Sequence, residues 1–159
     1  PPRSTLSSSS AASDVYKRQV LKPRDLSSIH HQCFISPRPW TTEEFSQLLK
    51  KNLLIQKSRS FLMGKIVKGE AEILTLAVSP SERRKGLASF LMESFIRKAK
   101  LARVDRIILE VAADNKPALD LYIKYSFIRI GERKAYYTSN TQVSASNALV
   151  LEHKISYQR

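Results

Sequence analysis

Cysteine and glycine are scarce in this sequence, and each shortage excludes a class of site. The single cysteine, Cys33, cannot close an internal disulfide and offers no zinc-ligand spacing. The four glycines, at positions 64, 69, 86 and 131, fit neither a Walker loop nor a dinucleotide-binding fingerprint. We therefore expect no metal and no oxidising compartment, which leaves the cytoplasm as the default location.

Long apolar runs and acidic residues are also lacking. The best apolar run, 73–78, contains a threonine and is far shorter than the roughly 18 residues that would predict a membrane span, so we expect no membrane partner. Only 14 acidic residues oppose 27 lysines and arginines, which gives a formal net charge of +13. That excess predicts an anionic partner, such as RNA, the ribosome, a phosphorylated cofactor or an acidic protein surface, and charge alone does not choose among them.

The length and composition suit one domain. With 159 residues, 42% hydrophobic and 26% charged, the sequence is typical of a globular protein with a single core. Residues 1–19 start without methionine, contain a run of four serines and lack a helix or strand period, so we interpret them as a non-native or disordered tail. The domain is then 20–159. Removing the tail deletes three cations and one anion, so the basic character belongs to the domain itself.

The hydrophobic period changes several times along the chain, which predicts an α/β fold with a mixed sheet. Asp25 is a candidate cap for the first helix, and Thr41 with Glu44 forms a capping box at the start of the second. The predicted helices span about 26–34, 41–51, 86–100 and 118–124. The predicted strands span 53–56, 61–67, 71–78, 107–111, 127–130 and 148–155, after a possible truncated strand at 20–21.

The segment from Arg83 to Ala88 is the most informative, because it joins a predicted strand to the start of a long helix. A helix start presents unpaired backbone N–H groups and the positive end of the helix dipole, and Gly86 would let a phosphate approach that backbone closely. The cations Arg83, Arg84 and Lys85 add charge at the same point. On spacing alone, a solvated basic turn that caps the helix explains the segment equally well.

With its neighbours, this segment resembles the GNAT acetyltransferase superfamily, whose cofactor loop reads Gln or Arg, two residues, Gly, one residue, then Gly or Ala; Arg83, Gly86 and Ala88 match it. Supporting stretches in the expected order are Phe34, Pro39-Trp40, 76–80, 109–115, Leu121-Tyr122 and Tyr136-Tyr137. The resemblance is closest to the bacterial RimI family, which acetylates the N-terminal alanine of a small-subunit ribosomal protein. It implies a single-domain GNAT fold, with a mostly antiparallel sheet of about six or seven strands flanked by about four helices.

The resemblance also implies a mechanism. An amine attacks the thioester of acetyl-CoA directly, so no covalent nucleophile on the enzyme is needed. Glu110 matches the base of the family, at the end of a central strand where its carboxylate would be partly desolvated. Tyr122 matches the acid that protonates the departing thiolate, and the two side chains could face one another across a cleft. Taken alone, Glu110 is better interpreted as a surface glutamate at a strand end, and Tyr122 is equally well interpreted as a core tyrosine.

The remaining site residues follow from the same resemblance. Leu76, Ala77 and Val78 lie on a strand that splays from its neighbour and pairs with the pantetheine arm of the cofactor. The loop residues Arg83, Arg84, Lys85, Gly86, Leu87 and Ala88 hold its pyrophosphate. Asn115 would contact the cofactor or serve only as a helix cap. Trp40, Tyr136 and Tyr137 would line the acceptor cleft, although aromatic residues there could equally belong to the core.

Three other residues are expected to have no catalytic role. Cys33 falls on an apolar helix face, which favours a buried, inert thiol. His30 and His31 have no partner pattern, so we expect both on the helix surface.

The family usually has glycine where this chain has Ser126, in a left-handed turn that would cost a serine about 1 kcal/mol.

Two rival functions remain open on the sequence. One is a GNAT enzyme that acts on lysine side chains or on a small polyamine-like molecule. The other is a basic RNA-binding module without catalysis, although the sequence lacks an aromatic and basic RNP stretch. A ribosome-associated enzyme would itself be basic, so direct nucleic-acid binding could accompany catalysis as a secondary property.

Overall fold

The computed structural model describes residues 20–35, 38–134 and 147–158, which form four α-helices around one six-stranded sheet. The helices are α1 (Pro23–Cys33), α2 (Thr42–Leu49), α3 (Leu87–Leu101) and α4 (Lys116–Lys124), and a 3-10 turn spans Pro80–Glu82. The strands are β1 (Leu53–Lys57), β2 (Ser60–Val67), β3 (Glu70–Val78), β4 (Arg106–Ala112), β5 (Ile128–Arg133) and β6 (Ala148–Lys154). The expected fold class is confirmed.

The strand order across the sheet is β1-β2-β3-β4-β6-β5, and every pair except β3–β4 is antiparallel. Parallel neighbours need a crossover, which α3 supplies between β3 and β4. Helices α1 and α2 pack on one face in a core built around Leu26, Ile29, Phe45 and Phe61. On the other face, α3 and α4 pack in a larger core that includes Phe95. Both faces of the β2–β3 region are therefore buried.

The parallel pairing of β3 with β4 stops halfway along the strands. Its last pair is Ile73 with Leu109, yet β3 continues to Val78 and β4 to Ala112. At the closed end, the Arg106 guanidinium on β4 binds carboxylates on the strands to either side, Glu70 at 2.8 Å and Glu152 at 3.1 Å. The sheet is thus clamped at one end and open at the other, and we call the opening the β3–β4 gap.

A β-bulge in β3 lies where the gap begins. Met63 on β2 pairs with Thr75 and Gly64 pairs with Ile73, so Leu74 is an extra residue on β3. Before the bulge, Ile73 belongs to the core beneath α3, whereas after it Ala77, also an odd-numbered position, belongs to the core beneath α1. The extra residue reverses the alternation of side chains along the rest of the strand, as expected for an inserted residue in a period-2 element.

The start of the domain differs from the sequence expectation. Residues Val20 and Leu21 are not a strand; instead the Leu21 N–H donates to the Gln56 side chain at 2.9 Å and its side chain is buried. Helix α1 begins earlier than predicted because Pro23 suits the first helical position, which needs no N–H donor. Asp25 is therefore not the N-cap, but accepts the N–H of Lys22 at 2.9 Å.

The turn after α4 has the left-handed serine that the sequence predicts. Ser126 has φ 63°, its N–H donates to the Ile123 carbonyl at 2.9 Å, and the Phe127 N–H donates to the Tyr122 carbonyl at 3.0 Å. These two bonds, with the Phe127 ring packed on Tyr122, form a Schellman motif. Within the described ranges, no helix has the length and apolar character to cross a bilayer.

Candidate active site

The β3–β4 gap exposes one edge of β3 over Leu76, Ala77 and Val78. The other edge of this segment is paired with β2 as far as Val78, but beyond Ile73 no residue of β4 pairs with it. An extended strand directs its backbone groups to both sides, so this edge offers hydrogen-bonding groups to an extended ligand. The Val78 carbonyl already accepts from the Cys33 thiol and from Arg83 Nε, both at 3.3 Å.

The N-terminus of α3 opens beside the end of β3. Its N-cap, Gly86, has φ 74° and no capping side chain, and a Cβ built on it would meet no atom within 4 Å. The first amides of a helix have no acceptor within the helix, and here they include those of Leu87 and Ala88. This end of α3 thus combines open space, free N–H groups and the positive end of the dipole, which suits a phosphate group.

The three cations before Gly86 differ in their contacts. Lys85 pairs with Glu82 at 3.1 Å and, with the Ser58 hydroxyl, lowers the pKa of that carboxyl. Arg83 reaches back towards β3, with Nη2 3.8 Å from the Cys33 sulfur. Arg84 is exposed in a left-handed conformation with φ 63°. Exposed ion pairs are weak, so Lys85 could exchange Glu82 for a phosphate at little cost.

Glu110 lies on β4 just beyond the last residue paired with β3. Its side chain is 41% exposed and its Oε1 atom is 2.7 Å from Nη2 of Arg133 on β5. The carboxylate is therefore in contact with both solvent and an arginine. The cause is the alternation of β4, which turns Ile107, Leu109 and Val111 into the α3-side core and Glu110 away from it.

Tyr122 has the opposite environment. It projects from α4 into the α3-side core, where it is 7% exposed and its ring lies 5.7 Å from that of Phe127. Burial raises the pKa of the phenol to about 12, so it is protonated at neutral pH.

Glu110 and Tyr122 therefore lie on opposite faces of β4, and the expectation that they face one another across a cleft is wrong. Glu110 contacts Arg133, whereas Tyr122 contacts Phe127. Because pairing with β3 has ended at Leu109, Glu110 borders the β3–β4 gap.

His30 is buried, which contradicts the expectation of a surface histidine. It is 3% exposed, and burial, assisted by the nearby His31, lowers its pKa to about 4. Its ring stacks on Trp40 with centroids 4.8 Å apart, and its Nδ1 lies 3.0 Å from the Trp40 backbone nitrogen. The sequence held a signal for this, since His30 follows Leu26 by one helical turn on the apolar face. His31 is exposed, as expected.

Asn115 has the capping contact. Its side chain accepts the N–H of Ala118 at 3.3 Å at the start of α4, so the helix-cap interpretation has a direct observation behind it. Cys33 is half-buried rather than fully enclosed. Tyr136 and Tyr137 lie outside the described residues. Within the described ranges, no group of three or more His, Cys, Asp or Glu side chains could hold a metal ion.

Comparison with known proteins adds a family to this geometry. The sequence matches the acetyltransferase (GNAT) family over residues 30–127, which is more than half of the chain. This chain belongs to the GNAT acetyltransferase family. The expected enzyme class, an acetyl-CoA-dependent N-acetyltransferase, is thereby confirmed, and the β3–β4 gap of this GNAT chain is its candidate site for the acetyl donor.

Several relatives of this GNAT chain are named for the same acceptor, the alanine of one ribosomal protein. A candidate ribosomal protein bS18-alanine N-acetyltransferase of Bacillus subtilis is 35% identical over 111 residues, which cover 64% of this chain and 73% of the relative. The ribosomal protein bS18-alanine N-acetyltransferase of Escherichia coli is 30% identical over 124 residues, covering 74% and 82%. The crystal structure of the ribosomal-protein-S18-alanine N-acetyltransferase from Escherichia coli matches with a TM-score of 0.73 and 25% identity, covering 86% of this chain and 90% of that one.

Proposed function

We propose that this GNAT enzyme transfers an acetyl group from acetyl-CoA to the N-terminal α-amine of a protein, the N-terminal alanine of a small-subunit ribosomal protein, in the cytoplasm. The observation that carries the proposal is the 30–35% identity to enzymes with this acceptor over most of their length. The β3–β4 gap supports it, since it leaves one edge of β3 unpaired with β4 next to Glu110.

The donor site fits an extended, diphosphate-bearing molecule. Acetyl-CoA, when bound, supplies the acetyl group as a reactive thioester. The free amides at the start of α3 and the side chains of Arg84 and Lys85 would hold its pyrophosphate. The unpaired edge of β3 over 76–78 would hold its pantetheine arm through backbone hydrogen bonds, and an N–H on that edge would stabilise the oxyanion. Asn115 is proposed as a further contact in addition to capping α4.

Glu110 is the proposed general base. A protein α-amine has a pKa of about 8 and is mostly protonated near pH 7, so it must lose a proton before it can attack. The Glu110 carboxylate could take that proton directly or through one water. Its bond to Arg133 is a small obstacle, because an exposed ion pair stabilises by only about 1 kcal/mol or less and can be exchanged for the incoming amine.

Tyr122 is the proposed donor to the departing sulfur. With a pKa of about 12 it keeps its proton until the thiolate forms. Full transfer to a thiolate with an ordinary pKa of about 8.5 would be uphill by roughly 5 kcal/mol. Tyr122 therefore acts chiefly by donating a hydrogen bond to the developing negative charge, with proton transfer completed as water reaches the site.

The acceptor side is assigned to aromatic residues. Trp40 lies between α1 and α2 and is partly exposed, so its ring could contact the first residues of a substrate. Tyr136 and Tyr137 are proposed to line the same cleft, on the strength of the family resemblance alone.

The test is a transfer assay with isotopically labelled acetyl-CoA. The substrates are a peptide beginning Ala-Arg-Tyr, the same peptide with a blocked N-terminus, and candidate small-subunit ribosomal proteins, all read by mass spectrometry. We expect label on the α-amine of the free peptide and of one ribosomal protein, and none on the blocked peptide. Label on lysine side chains of the blocked peptide would overturn the α-amine proposal in favour of a lysine acetyltransferase.

A further inference from the structure

We infer that His30 is a positioning residue for the acceptor site, which fixes Trp40 to the part of β3 that borders the β3–β4 gap. The inference rests on the function proposed above, in which Trp40 contacts the acceptor. His30 itself is buried and would not contact either substrate. Its importance would lie in the two elements that it connects.

Two side chains of helix α1 bind the backbone of Trp40, one at its N–H and the other at its carbonyl. The Trp40 N–H donates to His30 Nδ1 at 3.0 Å, and the Trp40 carbonyl accepts from the Ser27 hydroxyl at 2.9 Å. The imidazole also stacks on the indole, with 20° between the ring planes. Ser27 and His30 are three residues apart and so share one face of α1. Two side chains of one helix turn thus fix both the backbone and the ring of Trp40.

The opposite side of the His30 ring contacts β3. Because Nδ1 accepts a hydrogen bond, the neutral imidazole carries its proton on Nε2, which lies 3.1 Å from Thr75 Oγ1. Thr75 directly follows the bulged residue Leu74, at the point where β3 has lost its pairing with β4. One buried ring therefore connects the proposed acceptor residue to the strand edge that is proposed to hold the donor.

A role in packing alone predicts a different outcome from a role in positioning. Loss of packing lowers stability and the amount of active protein, but it leaves the Michaelis constants of the remaining folded enzyme unchanged. Loss of positioning raises the KM for the acceptor and spares the KM for acetyl-CoA. His30→Phe keeps an aromatic ring while it removes both hydrogen bonds, His30→Gln keeps a donor and an acceptor, and Ser27→Ala loosens Trp40 without altering the core.

The experiment measures kcat and both KM values for these three variants in the full chain, with Ile29→Val as the matched control. Ile29 is fully buried on the same helix, so its trimming costs stability without a change in the bonds to Trp40. We expect His30→Phe and Ser27→Ala to raise the acceptor KM at least ~5-fold with the acetyl-CoA KM within ~2-fold. His30→Gln should show a smaller rise, and Ile29→Val should resemble the wild type.

Trp40 is the only tryptophan, so its fluorescence follows the same residue without any turnover. We expect easier quenching of its emission by acrylamide in His30→Phe and Ser27→Ala, and unchanged quenching in Ile29→Val. An unchanged acceptor KM with unchanged quenching in a folded variant, or an equal rise in both KM values, would overturn the inference alone. Wild-type protein that acetylates no α-amine would instead overturn the proposed function, and with it any role for His30 in acceptor binding.

Discussion

At the scale of single residues, the proposed chemistry depends on a contrast between two environments. Glu110 is an exposed carboxylate held by a weak ion pair, whereas Tyr122 is a buried phenol with a pKa of about 12. An exposed carboxylate can be reached by an incoming amine or by a bridging water. A buried phenol is protonated and pays no further desolvation when a ligand covers it. Each environment suits one end of the reaction.

We expect Glu110→Gln and Tyr122→Phe each to lower kcat at least ~10-fold, because each removes one proton-handling group and nearly preserves shape. The affinity for CoA, measured by calorimetry, should stay near the wild-type value. Glu72→Gln is a matched control, since Glu72 is also an exposed, ion-paired carboxylate on a strand, 3.0 Å from Lys65. A loss of CoA affinity that parallels the loss of turnover would assign the side chain to donor binding instead.

His30 gives a second prediction, on stability against pH. In the folded protein its pKa is about 4, against about 6.5 for a free histidine. Burial lowers the pKa most, the charge of His31 lowers it further, and Glu44 partly opposes both. Between these values the unfolded chain binds a proton that the folded chain does not, so stability falls as pH drops from about 6.5 towards 4. The lost free energy of unfolding is up to about 3 kcal/mol.

Denaturant unfolding at a series of pH values measures this dependence. In His30→Gln the decline between pH 6.5 and 4 should be shallower than in the wild type, because the titrating group is gone. The control is His31→Gln, because His31 is the next residue of α1 and is exposed. This variant should retain most of the decline. Identical pH profiles for wild type and His30→Gln would show that the buried imidazole is not the titrating group.

At the scale of secondary structure, the N-terminus of α3 is the element on which donor binding depends. Gly86→Leu should abolish CoA binding, because a side chain would fill the open space that the phosphates need. Gly69→Leu provides the control: Gly69 also has positive φ, at 86°, and lies in the β2–β3 turn away from the gap. Both variants should cost about 1–2 kcal/mol of stability from backbone strain, but only Gly86→Leu should lose CoA in a binding titration.

The elements themselves were largely predictable from the sequence, because periodicity and capping are local. The capping box of Thr41 and Glu44 and the left-handed Ser126 are both present as expected. The face reversal at Leu74 was not predictable, since the apolar run 73–78 reads the same with or without an extra residue. The helical spacing of His30 indicated a buried position, but its partners Trp40 and Thr75, which supply the hydrogen bonds that a buried imidazole needs, could not be identified from the sequence.

At the scale of the whole molecule, the described residues contain a six-stranded sheet with one core on each face. Helix α1 and Leu21, two residues before it, already contribute to the smaller core, in which Leu21 is 7% exposed. The interpretation of residues 1–19 as a tail therefore leads to a deletion test.

A chain that starts at Val20 should melt within ~2 °C of the full chain and keep its turnover, because no buried side chain of the described domain is removed. A chain that starts at Pro23 should melt several degrees lower, since it loses the buried Leu21 side chain and its N–H bond to Gln56. Differential scanning calorimetry of the three chains makes the comparison. Equal losses for the two deletions would mean that the first nineteen residues contribute to folding.

Because β3 and β4 pair along only part of their length, the stability of this protein depends on what it binds. The two strands pair over only four residue pairs, and the remaining edge of β3 is available to a ligand. A donor lying there would act as a temporary seventh strand, and at a concentration of 100 times its Kd it would add about 2.7 kcal/mol to the free energy of unfolding. The enzyme would therefore be loosest when empty and most firmly assembled at the moment of transfer.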